Sequence, residues 1–262
     1  MSTSSSMRLA NKVVIVTGST TGIGEAIARR FAAEGARVLV HGMERDLGER
    51  VVADLGREHA ALHVDDLSDA EAPRRIVDAA VRAFGKLDAV VNNAAWIVRS
   101  NLETTDAALF DRCMAIHVRA PMLLIRAAMP HLKRAEGSVL NIGSINGYSG
   151  ESNQLAYSLS KGALMTLTRN LADAHGRDRV RFNHVNLGWV LSPNEYKLKV
   201  KEGLPPDWPN HPPAAFAPSG RIMSPETIAT AAVYWVGDES RPISGSVLEL
   251  EQYPVIGRNP LK

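Results

Sequence analysis

Tyr157 and Lys161 stand four residues apart in Tyr157-Ser158-Leu159-Ser160-Lys161, and Ser144 lies thirteen residues upstream of the tyrosine. On a helix, positions i and i+4 share one face about one turn apart, so phenol and ammonium would be neighbours. A free phenol titrates near about 10 and exchanges protons poorly at neutral pH, whereas an adjacent ammonium favours the phenolate and lowers that value. The pair is therefore expected to supply a general acid/base. The Ser144 hydroxyl could hydrogen-bond a substrate oxygen. Taken alone, a Tyr/Lys pair at this spacing is more often a solvated helix face, so its weight depends on its surroundings. Hydrolytic use of Ser144 is disfavoured by its setting, Asn141-Ile142-Gly143-Ser144-Ile145, which lacks a G-x-S-x-G elbow.

The second chemical feature is Thr17-Gly18-Ser19-Thr20-Thr21-Gly22-Ile23-Gly24, which follows an apolar run and opens a helical pattern. Glycines there let backbone N–H groups and the positive end of a helix approach a pyrophosphate. The spacing is G-x-x-x-G-x-G, not G-x-G-x-x-G, and no Lys follows as a phosphate-binding P-loop would need.

The elements that must hold these groups alternate along the chain. Strands are expected at 12–17, 36–41, 60–64, 87–92, 138–142, 180–186 and 246–249, with helices over 24–34, 44–55, 70–84, 105–133, 155–175 and 225–236. Nearly all-apolar strands separated by helices imply a parallel sheet covered on both faces, a doubly wound Rossmann-type α/β fold in one domain of residues 9–262 behind a short tail, 1–8. Its edge carrying the strand ends is where such sheets bind ligands. Residues 191–223 are expected to form a substrate-loop insertion. Within it, Pro205, Pro206, Trp208, Pro209, Pro212, Pro213 and Pro218 crowd a segment too proline-rich for a helix or a central strand.

At 262 residues, 45% hydrophobic and 22% charged, the chain is long enough for a sizeable core. A net charge of +2 leaves no basic stripe for nucleic acid. No stretch approaches 18 uncharged apolar residues and the opening Met1 to Ser6 lacks an apolar leader core, so neither membrane nor secretion is expected. The lone Cys113 has no disulfide partner and no sister metal ligands, which fits a reducing, cytoplasmic setting and no metal.

The glycine turn, Asp66-Leu67 after the third strand, Asn92-Asn93-Ala94-Ala95 after the fourth, Ser144 after the fifth and the Tyr157/Lys161 pair together resemble the short-chain dehydrogenases/reductases over residues 8 to 250. The shorter, single-domain branch fits best. The resemblance implies that Ser144, Tyr157 and Lys161 are catalytic and that Lys161 also holds the nicotinamide ribose. It implies a cofactor cradle of Gly18, Thr20, Thr21, Gly22, Ile23, Gly24, Gly42, Met43, Arg45, Asp66, Leu67, Asn93, Ala94, Ala95, Gly188 and Val190. Homologous enzymes form tetramers through the Tyr/Lys helix and the long helix before it, so a homotetramer or homodimer is expected.

Two positions depart from the family's pattern. His117 replaces an Asn whose carbonyl holds a relay water. Because Pro121 has no N–H, the His117 carbonyl would still be free for that water. His117 is therefore expected to keep the relay by backbone, its ring being either titratable or a satisfied core group, and His117→Asn to preserve activity. Leu187 stands where Pro is common, which leaves the stiffness of that loop open while Gly188 keeps the close approach of backbone to cofactor.

Cofactor choice is split. Gly42 occupies the usual acidic position at the end of the second strand, Arg45 could pair with a 2′-phosphate, and Glu44 could serve the ribose diol. The expectation is NAD(P) with a lean to NADP. Around the site, Asn146, Asn153, Gln154, Trp96, Trp189 and Tyr196 suit a polyol, sugar or other oxygen-rich alcohol. Two alternatives remain beside that small-molecule oxidoreductase: a 3-oxoacyl-type carbonyl reductase, and a non-catalytic nucleotide-binding regulator of the same fold.

Overall fold

Seven parallel strands form one sheet in the order β3-β2-β1-β4-β5-β6-β7, in a computed structural model that describes residues 7–255. The strands are β1 (Val13–Val16), β2 (Arg37–Gly42), β3 (Ala60–Val64), β4 (Ala89–Asn92), β5 (Ser138–Ser144), β6 (Arg181–Leu187) and β7 (Val247–Leu250). The expected strands are all present, and β5 runs two residues further, so that Ser144 ends it in register with Leu187. Most of the expected tail, residues 1–6, and the end of the expected domain, 256–262, lie outside the described residues. Arg8 is tied to Glu34 and Glu239, and Leu9 is fully buried.

Alternation along β1 explains the layering. Val14 and Val16 point to one face, where they meet Ile27 and Phe31 of α1 (Gly22–Ala33), Val51 of α2 (Arg45–Leu55) and Ile228 of α9 (Pro225–Val236). Val13 and Ile15 point to the other, against Ile76 of α3 (Ala72–Phe84) and Leu124 of α5 (Ala120–Ala135). Each such fully buried aliphatic side chain contributes about 1.5–3 kcal/mol, which fixes the sheet as the platform for everything at its rim.

The long helix expected over 105–133 is broken into α4 (Ala107–Met114), a π-helical turn at Ala115–Arg119, and α5. Pro121 cannot donate to the His117 carbonyl, and the backbone widens there. The remaining α-helices are a single turn, α6 (Asn146–Ser149), then α7 (Leu155–Ala174), and α8 (Pro193–Lys201), which lies in the expected insertion ahead of its proline-rich stretch. Ser192 caps α8 by accepting the Glu195 N–H at 3.1 Å, with Pro193 in the first turn. No helix among the described residues is long and apolar enough to cross a membrane.

Candidate active site

Strand order reverses between β1 and β4, and the crevice beyond their carboxyl ends is the place such a sheet offers a ligand. The two loops that line it are locked together. Thr17 Oγ1 accepts the N–H groups of Asn93 and Ala94 at 3.0 and 3.1 Å, while Asn93 Nδ2 donates to the carbonyls of Thr17 and Gly18 at 2.9 and 3.1 Å. Gly18 adopts φ +64°, and a Cβ there would stand 2.8 Å from Ala94 Cα. This bare backbone cradle at the start of α1 suits a dinucleotide phosphate. The 191–223 insertion, hereafter the lid, reaches it as well: a side chain on Gly22 would touch Ser192.

At the end of β2 a Cβ on Gly42 would run into Thr20, so the position has no room for a carboxylate. Glu44, two residues on, accepts the Thr20 hydroxyl at 2.8 Å. Arg45 is exposed and lies 3.7 Å from Glu49, while Met43 is exposed beside it. His41 is buried behind the turn, near the Gly18 N–H at 3.5 Å; burial pushes its imidazole down to about 4, and Nε2 has no hydrogen-bond partner among the described residues. Asp66 accepts the Ser68 N–H at 2.8 Å, Leu67 is buried, and Asp65 is held to about 2 by the Arg75 guanidinium. Thr21 and Ile23 are half-buried in the turn and Ala95 is exposed beyond it.

Tyr157, Lys161 and Ser144 come together as their spacing predicts. Lys161 Nζ lies 5.6 Å from the centre of the Tyr157 ring and donates to the Ile142 carbonyl at 2.8 Å. The electrostatics differ from expectation. Burial pushes the Tyr157 phenol up to about 12, outweighing its hydrogen bond with Ser144, and burial pushes the Lys161 ammonium down to about 8. With the phenol 8% and the lysine 2% exposed, desolvation of each charged form decides both directions, and the ammonium is solvated by a carbonyl instead of by a phenolate.

His117 is one link in a chain of three hydrogen bonds. The Trp96 N–H can only donate, so His117 Nε2 accepts it at 2.8 Å and the ring proton sits on Nδ1. Nδ1 meets Ser160 Oγ at 2.8 Å, and Ser160 in turn donates to the Tyr157 carbonyl at 2.7 Å. Burial, then the nearby Lys161 charge, hold the ring well below its ordinary titration range. Of the two expectations for the ring, the structure shows the satisfied neutral one, packed edge-on against Tyr157 at 5.5 Å.

Asn146 and Gln154 meet each other at 3.3 Å, and the Asn146 N–H donates to Ser144 Oγ at 3.2 Å. Asn153 is exposed, with its carbonyl accepting the Ser100 N–H. Trp96 lies under the Arg112 guanidinium at 4.7 Å, on the His117 side of the site. Trp189 stacks on buried Trp208 at 5.1 Å, and Tyr196 stacks on that same ring at 6.4 Å while donating to the Pro206 carbonyl. Tyr196 thus builds the lid's own core. Val190 is buried and bridged to Met223. Against Gly188 lies Glu251, which also accepts the Trp189 N–H at 3.2 Å. Leu187 is held between β5 and β7 through the Ile145 N–H and the Gly188 to Leu250 bond, so the loop starts from a fixed strand end without proline.

Ser160, Ser192 and Glu195 are the site residues that spacing alone did not single out. Ser192-Pro193-Asn194-Glu195 is a capping-box sequence that could have revealed the last two. No group of three or more His, Cys, Asp or Glu able to hold a metal occurs among the described residues.

A family model described as enoyl-(acyl carrier protein) reductase matches residues 18–251. The meso-2,3-butanediol dehydrogenase of Serratia marcescens is 31% identical over 94% of this chain and 95% of its own. The NADP-dependent (R)-specific alcohol dehydrogenase of Lentilactobacillus kefiri is 32% identical over 91% and 94%. The crystal structure of L-sorbose reductase from Gluconobacter frateurii, complexed with NADPH and L-sorbose, superposes with a TM-score of 0.87 at 25% identity, covering 94% of this chain and 97% of that one.

Proposed function

The chain belongs to the short-chain dehydrogenase/reductase family, and from that premise we propose that Tyr157, Lys161 and Ser144 interconvert a secondary alcohol and its ketone on a polar, polyol-like substrate. It is an NAD(P)-dependent oxidoreductase acting on CH–OH groups. The observation that carries the residue assignment is the buried Ser144–Tyr157–Lys161 cluster at the carboxyl edge of β5.

A dinucleotide held by its phosphates in the glycine cradle would supply hydride exchange with the carbinol carbon through its nicotinamide. Ser144 orients the substrate oxygen. Tyr157 gives a proton to that oxygen as a ketone is reduced and takes it back as an alcohol is oxidised. Lys161 offsets the charge of the phenolate formed on reduction. Burial favours the protonated phenol, the form that donates as a ketone is reduced. His117 acts through its bonds: its ring braces the Tyr157 turn of α7, and its carbonyl, opposite Pro121, is the candidate relay acceptor.

The polyol preference draws support from the diol and sugar named in two relatives and from Asn146 and Gln154 beside Ser144. The lean to NADP draws on the NADP-dependent relative and the NADPH complex, with exposed Arg45 as the group to meet a 2′-phosphate. A homotetramer or homodimer through α7 and the α4–α5 helix fits the exposed Leu159 and Met122 on those helices, and the free, buried Cys113 suits a cytoplasmic setting. The test is a panel of diols, sugars, simple secondary alcohols and their ketones with both nicotinamides, read by absorbance of the reduced ring. Turnover led by oxygen-rich substrates is expected. Tight cofactor binding with no turnover anywhere would favour a non-catalytic regulator instead.

A further inference from the structure

The lid carries a carboxylate whose place the reaction does not explain. Trp189 follows β6 by two residues, just past the Leu187 position that pairs with Ser144. One face of its ring stacks on buried Trp208 at 5.1 Å and Phe216 packs edge-on at 6.3 Å. From that ring Nε1 donates to Glu195 Oε1 at 2.8 Å. The Glu195 backbone is pinned as well, by the Ser192 cap, and Ser192 lies against Gly22 of the nucleotide turn. Glu195 is thus held by side chain and backbone on a stretch of lid that begins beside the nucleotide turn.

Its charge is not neutralised by the lid. Lys199 and Arg99 both pair with Glu202, at 2.8 and 2.7 Å, and no ion pair of the described residues engages Glu195. The side chain is only half-buried, which leaves room for a donor from outside the protein. The carboxylate is near enough to Tyr157 for its charge to favour the protonated phenol. One oxygen is committed to Trp189, and a carboxylate retains further lone pairs.

We propose that Glu195 is a specificity-determining residue that accepts a hydrogen bond from a second hydroxyl of the substrate, next to the reacting carbinol, and turns away substrates with an anionic group there. The inference rests on the alcohol dehydrogenase reading above and names the substrate feature that reading leaves open. A hydroxyl donor gains a charge-assisted bond at this half-buried carboxylate, and a carboxylate or phosphate meets a like charge at short range. This favours vicinal diols and hydroxyketones over hydroxy acids and acyl thioesters with nearby phosphates.

The test uses butan-2-ol, butane-2,3-diol and 3-hydroxybutyrate with the intact enzyme and with Glu195→Gln, which keeps an oxygen for Trp189 and removes the charge. In Glu195→Gln the kcat/KM ratio of diol to butan-2-ol should fall about tenfold, and that of 3-hydroxybutyrate to butan-2-ol should rise by a similar factor. Trp189→Phe, which keeps the ring stack and loses the N–H, should lower the diol ratio several-fold. Ratios within twofold of the parent enzyme in both variants would overturn the proposal. If the parent enzyme turns over none of these alcohols with either nicotinamide, the dehydrogenase reading itself fails and takes the proposal with it.

Discussion

The floor of the site and its lid are held by different forces. In the floor, Lys161 ends on the Ile142 carbonyl, Ser160 ends on the Tyr157 carbonyl, and the Thr17–Asn93 bonds join two strand ends, so each polar group is anchored to backbone of the sheet or of α7. In the lid, the holding contacts are the Trp189–Trp208–Tyr196 stack, the Ser219–Gln252 hydrogen bond and the Arg99–Glu202 ion pair, whose side chains are about a third exposed. Buried hydrogen-bonded groups have one position, whereas ring stacks contribute about 0.5–1.5 kcal/mol and part-exposed ion pairs about 0.2–1 kcal/mol each, and both can rearrange around a substrate. The lesson is a division of labour, with proton transfer built on the rigid side and selectivity on the adjustable side.

That contrast predicts that floor variants act on kcat for every substrate and lid variants act on KM for some. Ser144→Ala should lower kcat by about 10²-fold or more with any alcohol, as for loss of a donor to a reacting oxygen. A loss confined to one substrate in steady-state assays would break the division. Removing the Arg99–Glu202 clamp with Arg99→Ala should raise KM about two- to fivefold with little change in kcat. The same shift should follow in the unaltered enzyme when salt is raised to about 0.5 M, where exposed pairs are screened. A fall in kcat that salt does not reproduce would place Arg99 with the floor.

The floor also leaves a mark on stability. Lys161 titrates near about 8 when folded against an ordinary 10.5, so the unfolded chain binds the extra proton between these values. Stability therefore rises with pH across that window, the buried-ammonium penalty being fully present below about 8. Relative to Lys161→Met, the cofactor-free enzyme should gain about 1–2 kcal/mol from pH 7.5 to 9.5 in denaturant melts. A constant gap would mean that the lysine is not desolvated.

The same division governs what the sequence made legible. The glycine turn, Ser144, Tyr157 and Lys161 were readable because each follows from local spacing on a strand end or one helix face. Helix α8 was hidden because Pro205 to Pro218 dominated the composition of its segment, although Ser192-Pro193-Asn194-Glu195 carries its own start signal. The bracing chain joins Trp96 and His117, 21 residues apart, to Tyr157 and Ser160 on α7, Ser160 lying 43 residues beyond His117, so only folding brings it into view. The upward shift of Tyr157 was out of reach for a related reason. Spacing tells that an ammonium is near, but the depth of burial that outweighs it is a property of the packed site.

The most direct test of the account is Tyr157→Phe, assayed for turnover and, by nicotinamide fluorescence, for cofactor binding. The account predicts kcat lower by about 10³-fold with the reduced cofactor still bound within a few-fold of the parent affinity. Turnover within tenfold of the parent enzyme would contradict it, since the proton would then be travelling by another group.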